Sequence, residues 1–487
     1  MTVNGKQKPS VGHFQSCNIS YPSRSLEFLD SPSLKPDTNG HSTAEARRLD
    51  ILVVGAGLSG LAAAVALGRH GHKVRVLEQA LELGEVGAGI QIPSNSARLL
   101  SRWGVDRFWE GKAVEPGSIT FRRWQCGRPV AHTQLKPGFA DKYGAPYLTI
   151  HRAHFHEALR QRAVELGVEI QTGTRVAHFD SETPSVTTRE GKTIRADLVL
   201  VASGVRSTAH ESLGHGTTNG AYRTGFAAYR ATVDVDKIRA DKELAWVTEN
   251  PNLNVWIGED KHVMTYAISA GSSFNMVLSH VDWSDPETWT PEGVLEDMRQ
   301  QFADWDPQLV RIVNMVDKTM KWPLTSMRAT KHWVSVSGRL VMIGDAVHAM
   351  VPYMSQGAAM AVEDAAALAV AVQHATATAS TLPSSTLKDA LKVFERIRSL
   401  RACQMQQASL VNGKLWHLPD GPTQQARDAA TRAEVEGEPF EVSANQWSDP
   451  VTQEWTYGYD AEAEMSRALR EQSLWDAQPG TQQCTAG

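Results

Sequence analysis

The sequence has little of what marks secreted, membrane-spanning or nucleic-acid-binding proteins. It contains 4 cysteines in 487 residues, without CxxC or zinc-ligand spacing, so it predicts neither a disulfide framework nor a metal site. No segment supplies the roughly eighteen consecutive apolar residues that a membrane-spanning helix needs. The net charge of -5, with no long basic run, argues against general nucleic-acid binding. We therefore expect a globular protein of the reducing cytoplasm.

Length and composition set the expected organisation. The chain is 41% hydrophobic and 21% charged, and 487 residues exceed the size of one ordinary core, so we expect two closely associated domains. Residues 1–49 are polar and rich in Ser, Pro, Asn and Lys, without the apolar stretch of a signal peptide. They are predicted to be a disordered leader.

A strand, turn, helix and second strand follow this leader. Ile51 to Val54 read as a buried strand, and the next residues are GAGLSG. Gly55 allows a tight turn, Gly57 lets the backbone approach a pyrophosphate, and Gly60 lets the helix pack close to the strand. Glu78 ends the second strand, where a carboxylate can accept hydrogen bonds from ribose hydroxyls. The complete unit predicts a dinucleotide site, whereas the glycines alone would also fit an ordinary loop.

Further stretches carry ligand-type residues. Gly89 lies in a second glycine-rich crossing, which is either an ordinary loop or backbone against a flat ligand. Arg152 lies in the first turn of a predicted helix from His151 to Leu166. The helix dipole disfavours a cation there, so the arginine either meets an anionic partner or is simply solvated. A strand ending in Gly344-Asp345 leads through a loop to a helix from about Ala358.

The remaining pattern predicts antiparallel sheets and helices. Residues 222–282 alternate between apolar and polar, with a hairpin turn near Glu259-Asp260. Residues 168–195 suggest a small antiparallel sheet, and residues 291–305 a helix. Residues 387–411 are predicted to form a helix that carries Arg396, Arg398 and Arg401 on largely solvated faces.

Three motifs together resemble a known family. GAGLSG with Glu78, HRAHFHEAL with Arg152, and above all GDAVHAMVPYMSQGAAMAVEDAAAL resemble the flavin-dependent aromatic hydroxylases, also called group A flavoprotein monooxygenases. The fungal salicylate-hydroxylase-like branch is the most similar, over residues 50–410. The resemblance implies a mixed α/β fold like that of para-hydroxybenzoate hydroxylase. Its Rossmann-like FAD-binding domain would comprise residues 50–220 and 335–412, its antiparallel-sheet substrate domain residues 221–334, and a C-terminal extension residues 413–487.

The resemblance also implies roles for individual residues. Glu78 would hold the FAD ribose, Arg152 the pyrophosphate and ribityl region, and Asp345 a ribityl hydroxyl. Gly357 and Ala358 would lie under the isoalloxazine, where the helix dipole favours the negative charge of reduced flavin. Pro352 matches the proline that lines the oxygen-reacting side of the ring.

The implied reaction consumes NADH or NADPH and O2. Reduced FAD would form a C4a-hydroperoxyflavin that inserts one oxygen atom into a phenolic or other electron-rich aromatic substrate, in secondary metabolism. Arg206 and Tyr229 are the candidates for supporting a phenolate, with a structural ion pair and a core aromatic as their respective alternatives. The protein would be a cytoplasmic monomer or homodimer.

One departure from the family pattern leaves alternatives open. Ser203 stands where the family usually has an aspartate associated with FAD and coenzyme handling, so the coenzyme preference is open. Epoxidation or oxidative rearrangement of an indole or alkene would use the same scaffold. A flavin-binding protein without turnover is a further alternative. A plain NAD-dependent dehydrogenase would leave the stretch from Gly344 to Leu368 without a role.

Overall fold

A computed structural model describes residues 47–84, 88–377 and 384–476. Residues 1–46 of the predicted leader lie outside this part, as do Gly87 of the second glycine-rich crossing and residues 477–487. Leu49, the last residue of the predicted leader, is buried in the core directly before the first strand. In the described ranges, no helix combines the length and hydropathy that crossing a bilayer requires.

The described strands run in the following order: β1 (Asp50–Val54), β2 (Lys73–Leu77), β3 (Gly89–Ile92), β4 (Ser118–Arg123), β5 (Pro129–Gln134), β6 (Leu148–His151), β7 (Glu169–Gln171), β8 (Val176–Asp180), β9 (Ser185–Thr188), β10 (Thr193–Arg195), β11 (Leu198–Val201), β12 (Ala221–Asp234), β13 (Leu253–Gly258), β14 (Lys261–Ile268), β15 (Ser273–Val281), β16 (Thr319–Met327) and β17 (Leu340–Met342).

The described α-helices are α1 (Leu58–Gly68), α2 (Ser94–Arg102), α3 (Gly138–Tyr143), α4 (Arg152–Glu165), α5 (Val235–Arg239), α6 (Trp246–Glu249), α7 (Pro291–Gln301), α8 (Pro307–Asn314), α9 (Asp345–His348), α10 (Gly357–Ala377), α11 (Ser384–Trp416), α12 (Pro422–Ala430), α13 (Arg432–Glu436), α14 (Pro450–Tyr457) and α15 (Ala461–Asp476).

A five-stranded parallel sheet carries the nucleotide-binding motif. Its strand order is β17-β11-β1-β2-β7, and every neighbouring pair is parallel. The side chains of Ile51 to Val54 are buried, as expected for a central strand with both faces covered. The carboxyl ends of β1, β11 and β17 lie side by side, where ligands collect in such sheets.

The predicted small antiparallel sheet is correct for β8, β9 and β10, but wrong for its first segment. Strands β10, β9 and β8 form a three-stranded sheet. Residues 169–171, however, form β7, which pairs in parallel with β2 at the edge of the large sheet. A three-residue strand carries too little pattern to reveal its partner, which lies almost a hundred residues away along the chain.

A seven-stranded sheet forms the second layer, in the order β16-β12-β15-β14-β13-β4-β5. Its pairs are antiparallel except for β13 with β4, and the predicted turn at Glu259-Asp260 joins β13 to β14. Strands β4 and β5 come from the segment predicted for the first domain, although they extend this second sheet. The mixed α/β architecture with a parallel and a largely antiparallel sheet confirms the predicted fold class.

The two faces of the second sheet have different surroundings. The outer face, which includes Tyr229, Trp256 and Leu278, packs in one core cluster with residues of α7 and α8. The inner face, which includes Val255, Met264 and Tyr266, packs in a cluster that also contains Val351, Tyr353 and Met354. The inner face therefore lies against the loop between α9 and α10.

The predicted solvation of the α11 arginines is wrong for two of the three. Arg396 is exposed, but Arg398 is fully buried and Arg401 is 3% exposed. Both face carboxylates of α10, and this pairing makes the burial of two guanidinium groups tolerable. Sequence periodicity identifies apolar faces and does not reveal a buried ionic one.

Candidate active site

The glycines of the first turn are held by close backbone contacts. Gly55 has a φ of 107°, and a Cβ there would lie 2.5 Å from the carbonyl oxygen of Ala202 at the end of β11. A Cβ on Gly60 would lie 1.9 Å from the carbonyl oxygen of Gly55. Gly57 differs, because a Cβ there would meet nothing within 4 Å. Open space thus borders the N-terminus of α1, as a bound phosphate requires.

Glu78 closes this turn from the next strand. One carboxylate oxygen accepts a hydrogen bond from the backbone N–H of Ala56 at 2.8 Å, and the other accepts one from Ala80 at 2.9 Å. The side chain is half-buried. Each oxygen retains a lone pair after its backbone bond, so the carboxylate fits the predicted contact with a ribose.

The glycine-aspartate turn after β17 lies against the same helix. Gly344 has a φ of 63°, and a Cβ there would lie 2.2 Å from Oγ of Ser59 in the first turn of α1. Asp345 is exposed, whereas its neighbours Gly344 and Ala346 are buried. The fold therefore brings Asp345 close to the glycine turn of β1, although nearly 300 residues separate them in the sequence.

Arg152 and Gly89 meet on a short two-stranded sheet. Gly89 pairs with His151, the residue before Arg152, and the backbone N–H of Arg152 donates to Ala88 at 3.1 Å. A Cβ on Gly89 would lie 2.4 Å from the ring of Tyr266. Its absence therefore lets β3 approach the inner face of the second sheet, a role that the glycine pattern did not indicate.

The loop from Met350 to Gly357 connects both layers. Pro352 begins a short 3-10 turn, Ser355 adopts a left-handed φ of 54°, and α10 begins at Gly357. Pro352, Gly357 and Ala358 are half-buried. The loop follows the glycine-aspartate turn along the chain and packs against the inner face of the second sheet.

Tyr229 faces away from this loop. Its ring is fully buried on the outer face, its hydroxyl donates to the Asp297 carboxylate on α7, and it stacks on His280 with ring centroids 4.7 Å apart. Burial and the Asp297 hydrogen bond raise the pKa of the Tyr229 phenol. This placement favours the core-aromatic alternative, and the predicted catalytic role remains a prediction.

A lysine lies within the acidic cluster next to Tyr229. His280, Asp282 and Asp297 place one potential ligand atom each within 4.8 Å of one another. The Lys321 ammonium lies 2.5 Å from Asp282 and 2.6 Å from Asp297. The ammonium contacts both carboxylates of the cluster, and the absence of a metal site remains a prediction.

Arg206 and Tyr229 are not brought together. Arg206 is exposed in the loop after β11, beside Ser203, whose hydroxyl donates to that of Ser207 at 2.8 Å. Ser203 itself is exposed at a strand end of the parallel sheet. Arg206 therefore lies at the carboxyl-end edge of the parallel sheet, whereas Tyr229 lies on the outer face of the second sheet.

Sequence reasoning missed Arg230. Successive strand residues point to opposite faces, so Arg230 lies on the inner face next to Val277, its partner in the register of β12 and β15. Burial raises the pKa of Tyr266 on the same face, and the positive charge of Arg230 opposes this rise. Alternation in the sequence shows that Tyr229 and Arg230 diverge, but not which of them faces the site.

His348 is a buried structural histidine. Its Nε2 lies 2.6 Å from a carboxylate oxygen of Asp364, which also accepts the backbone N–H of Gly344 at 3.0 Å. The ring packs against Trp333. His348 thus supports the glycine-aspartate turn from behind.

A family profile and several known proteins match most of this chain. A profile described as FAD binding domain matches residues 48–407. The FAD-dependent monooxygenase OpS4 of Beauveria bassiana is 36% identical over 88% of this chain and 98% of its own length. The 3-amino-4-hydroxybenzoate 2-monooxygenase PtnB3 of Streptomyces platensis is 31% identical over 84% of this chain and 96% of its own length.

A solved structure shares the fold. A salicylate hydroxylase substrate complex superimposes with a TM-score of 0.68 at 23% identity, over 86% of this chain and 98% of that one. The resemblance to group A flavin-dependent aromatic hydroxylases is thereby confirmed. The chain belongs to the FAD binding domain family, and it is an FAD-dependent monooxygenase.

Proposed function

We propose that the protein uses NADH or NADPH and O2 to hydroxylate a phenolic or other electron-rich aromatic substrate, which binds between FAD and the inner face of the second sheet. One observation carries this proposal: β17, whose carboxyl end lies beside those of β11 and β1, leads through α9 into the loop from Met350 to Gly357, and the inner face packs against this loop. The site thus combines a dinucleotide-binding edge with an apolar wall that suits a flat substrate.

The chain's own residues suit FAD in specific ways. Gly57 leaves room for the pyrophosphate, Glu78 offers carboxylate oxygens to the ribose, and Asp345 is exposed where a ribityl hydroxyl would lie. Arg152, at the start of α4, would supply a cation for the phosphate region. Gly89 would keep β3 close to the flavin ring. Bound FAD would supply the activation of O2 and the transfer of one oxygen atom.

The loop from Met350 to Gly357 and the inner face of the second sheet would exclude water and support the substrate. Pro352, Gly357 and Ala358 would border the flavin ring, and the aromatic and apolar side chains of the inner face would shield the reacting carbon from water. Arg230 would stabilise an ionised hydroxyl or a carboxylate, because a guanidinium keeps its charge at every relevant pH. Arg206 would contribute at the nucleotide side.

Two relatives act on substrates of this class. PtnB3 is named for 3-amino-4-hydroxybenzoate, and the structural neighbour is named for salicylate. Both names describe hydroxylated aromatic acids, whose negative charge a guanidinium would bind. We therefore propose a hydroxyarene as substrate, and place the reaction in secondary metabolism of the cytoplasm.

Domain boundaries follow from the same assignment. We propose that residues 50–220 and 335–412 bind FAD, that residues 221–334 supply most of the substrate wall, and that residues 413–487 are a C-terminal extension. Strands β4 and β5 would then belong to the substrate wall, although they precede it in the chain. The protein would act as a monomer or homodimer.

The test is a substrate panel on the purified flavoprotein. Phenols, hydroxybenzoates, indoles and alkenes are each supplied with NADH or NADPH, and coenzyme oxidation is compared with product mass. A product from phenolic compounds, one oxygen atom heavier, is expected. Product from indoles or alkenes alone would favour epoxidation or rearrangement, and FAD that stays oxidised with every substrate would indicate flavin binding without turnover.

A further inference from the structure

Two successive residues of α10 bury their carboxylates behind the flavin-facing loops. Glu363 and Asp364 are both fully buried, and all four of their oxygen atoms accept hydrogen bonds. Arg398 of α11 donates to Glu363 at 2.7 Å and to Asp364 at 2.9 Å. Arg401 adds a bond to Glu363 at 3.1 Å and donates to backbone carbonyls near the end of α14. Two carboxylates thus face two guanidinium groups.

The Asp364 branch holds the glycine-aspartate turn. One oxygen of Asp364 accepts the Gly344 backbone N–H at 3.0 Å and contacts Nε2 of His348 at 2.6 Å. Burial opposes ionisation of Asp364, yet its contacts with His348 and Arg398 hold its pKa below the ordinary value. Asp345 therefore projects from a turn that is fixed on its buried side.

The Glu363 branch reaches the start of α10 through an amide pair. The Asn95 side-chain amide donates to Glu363 at 2.7 Å and to the side-chain carbonyl of Gln356 at 2.9 Å. Gln356 directly precedes Gly357, and the backbone carbonyl of Gln356 accepts a hydrogen bond from the Met360 backbone N–H at 2.7 Å. Asn95 is fully buried and Gln356 is 1% exposed, so water does not compete for these bonds.

The amide pair connects two segments that border the proposed cofactor position. Asn95 lies in the first turn of α2, three residues beyond the end of β3, whereas Gln356 lies at the end of the loop that carries Pro352. The amide pair therefore fixes the N-terminus of α10 relative to β3. A helix N-terminus favours negative charge over about one turn, so its distance from a flavin ring affects how well the reduced flavin is stabilised.

We propose that Asn95 and Gln356 are positioning residues whose amide pair holds the N-terminus of α10 against the flavin ring and thereby raises the reduction potential of bound FAD. The inference rests on the proposed placement of FAD at Asp345 and Gly357. It does not depend on which aromatic compound is the substrate.

The test compares three variants of the purified holoenzyme. Asn95→Ala removes the amide pair, and Gln356→Leu removes only its loop half while leaving Asn95 bonded to Glu363. Asn445→Ala is the matched control: Asn445 is also a buried asparagine whose amide donates to a carboxylate, Glu434, at 3.1 Å, but it lies in the C-terminal extension. The midpoint potential and the dissociation constant of FAD are measured together with the melting temperature.

Asn95→Ala and Gln356→Leu should each lower the preference for reduced over oxidised FAD by about tenfold, which corresponds to about 30 mV for a two-electron couple. Asn445→Ala should lower the melting temperature without moving the potential. If Asn95→Ala fails to fold, Gln356→Leu decides the question. An unchanged potential, or an equal shift in the control, would overturn the proposal.

A fourth variant separates this proposal from the placement of FAD. Asp345→Ala should weaken FAD binding if the cofactor lies where we propose. If Asp345→Ala leaves FAD binding unchanged, the placement itself is wrong and the positioning proposal falls with it. If it weakens FAD binding while both amide variants keep the native potential, the positioning role alone is refuted.

Discussion

Tyr229 and Arg230 lie on opposite faces of β12, so substitutions at these two positions should have opposite effects on stability and activity. Tyr229→Phe removes one hydroxyl from the outer face, where it donates to Asp297. A hydrogen bond to a charged group contributes about 1.5 to 3 kcal/mol of stability. Asp297 keeps its Lys321 partner at 2.6 Å, so the loss should lie at the lower end of this range. Turnover should stay within about twofold of the native rate, since no reacting group is touched.

Arg230→Met changes the other face and should have the reverse effect. The guanidinium lies on the inner face, so its loss should lower kcat/KM by about 100-fold, the usual effect of removing one electrostatic support from an active site. Stability should change less than in Tyr229→Phe, because Arg230 is only half-buried. Guanidinium denaturation and steady-state kinetics on both variants provide the comparison.

The refuting result is an exchange of these phenotypes. If Tyr229→Phe lost about 100-fold in kcat at native stability, Tyr229 would be catalytic, as the resemblance suggested, and the assignment of the two faces would not describe the working enzyme. Retained activity in Arg230→Met would remove Arg230 from the substrate site.

Three further predictions follow from other parts of the molecule. Gly57→Ala should weaken FAD binding without destabilising the apoprotein. Gly60→Ala, whose Cβ would lie 1.9 Å from a backbone oxygen, should also lower the free energy of unfolding by about 1 to 3 kcal/mol. FAD titration and melting of the apoprotein measure the two effects. Burial lowers the pKa of His72 from 6.5 to about 4 in the folded protein. Its neutral form therefore stabilises the fold above pH 6.5. This contribution, at most about 3 kcal/mol, is lost as the pH falls towards 4. Unfolding at pH 7 and pH 4.5 should therefore show a steeper loss in the native protein than in His72→Gln, and equal losses would contradict it. Arg398→Met leaves two buried carboxylates undercompensated and should cost about 3 to 5 kcal/mol in denaturant unfolding, whereas a loss below 1 kcal/mol would show that Arg401 suffices.

Local chemistry made the nucleotide unit predictable from the sequence. The glycines of residues 55–60, the terminal Glu78 and the glycine-aspartate turn at Asp345 each sit where a strand ends, and strand ends are visible as breaks in short apolar runs. Their convergence follows from the parallel sheet, because neighbouring strands place their carboxyl ends at one edge.

Features that depend on distant partners were not predictable in this way. Which of Tyr229 and Arg230 faces the site depends on which layer covers each side of β12. The burial of Arg398 depends on carboxylates of α10, and the second-sheet membership of β4 depends on β13, more than a hundred residues later. The role of Gly89 likewise depends on Tyr266, a residue of the other layer.

Isotope labelling shows directly whether the protein transfers oxygen from O2 to an aromatic substrate. The purified protein, with its bound FAD, is supplied with NADH or NADPH, a hydroxyarene and isotopically heavy O2, and the product is analysed by mass spectrometry. We expect one labelled oxygen atom to enter each product molecule for each coenzyme oxidised. Product oxygen that comes from water, or reduced coenzyme consumed without labelled product for every aromatic compound tested, would contradict it.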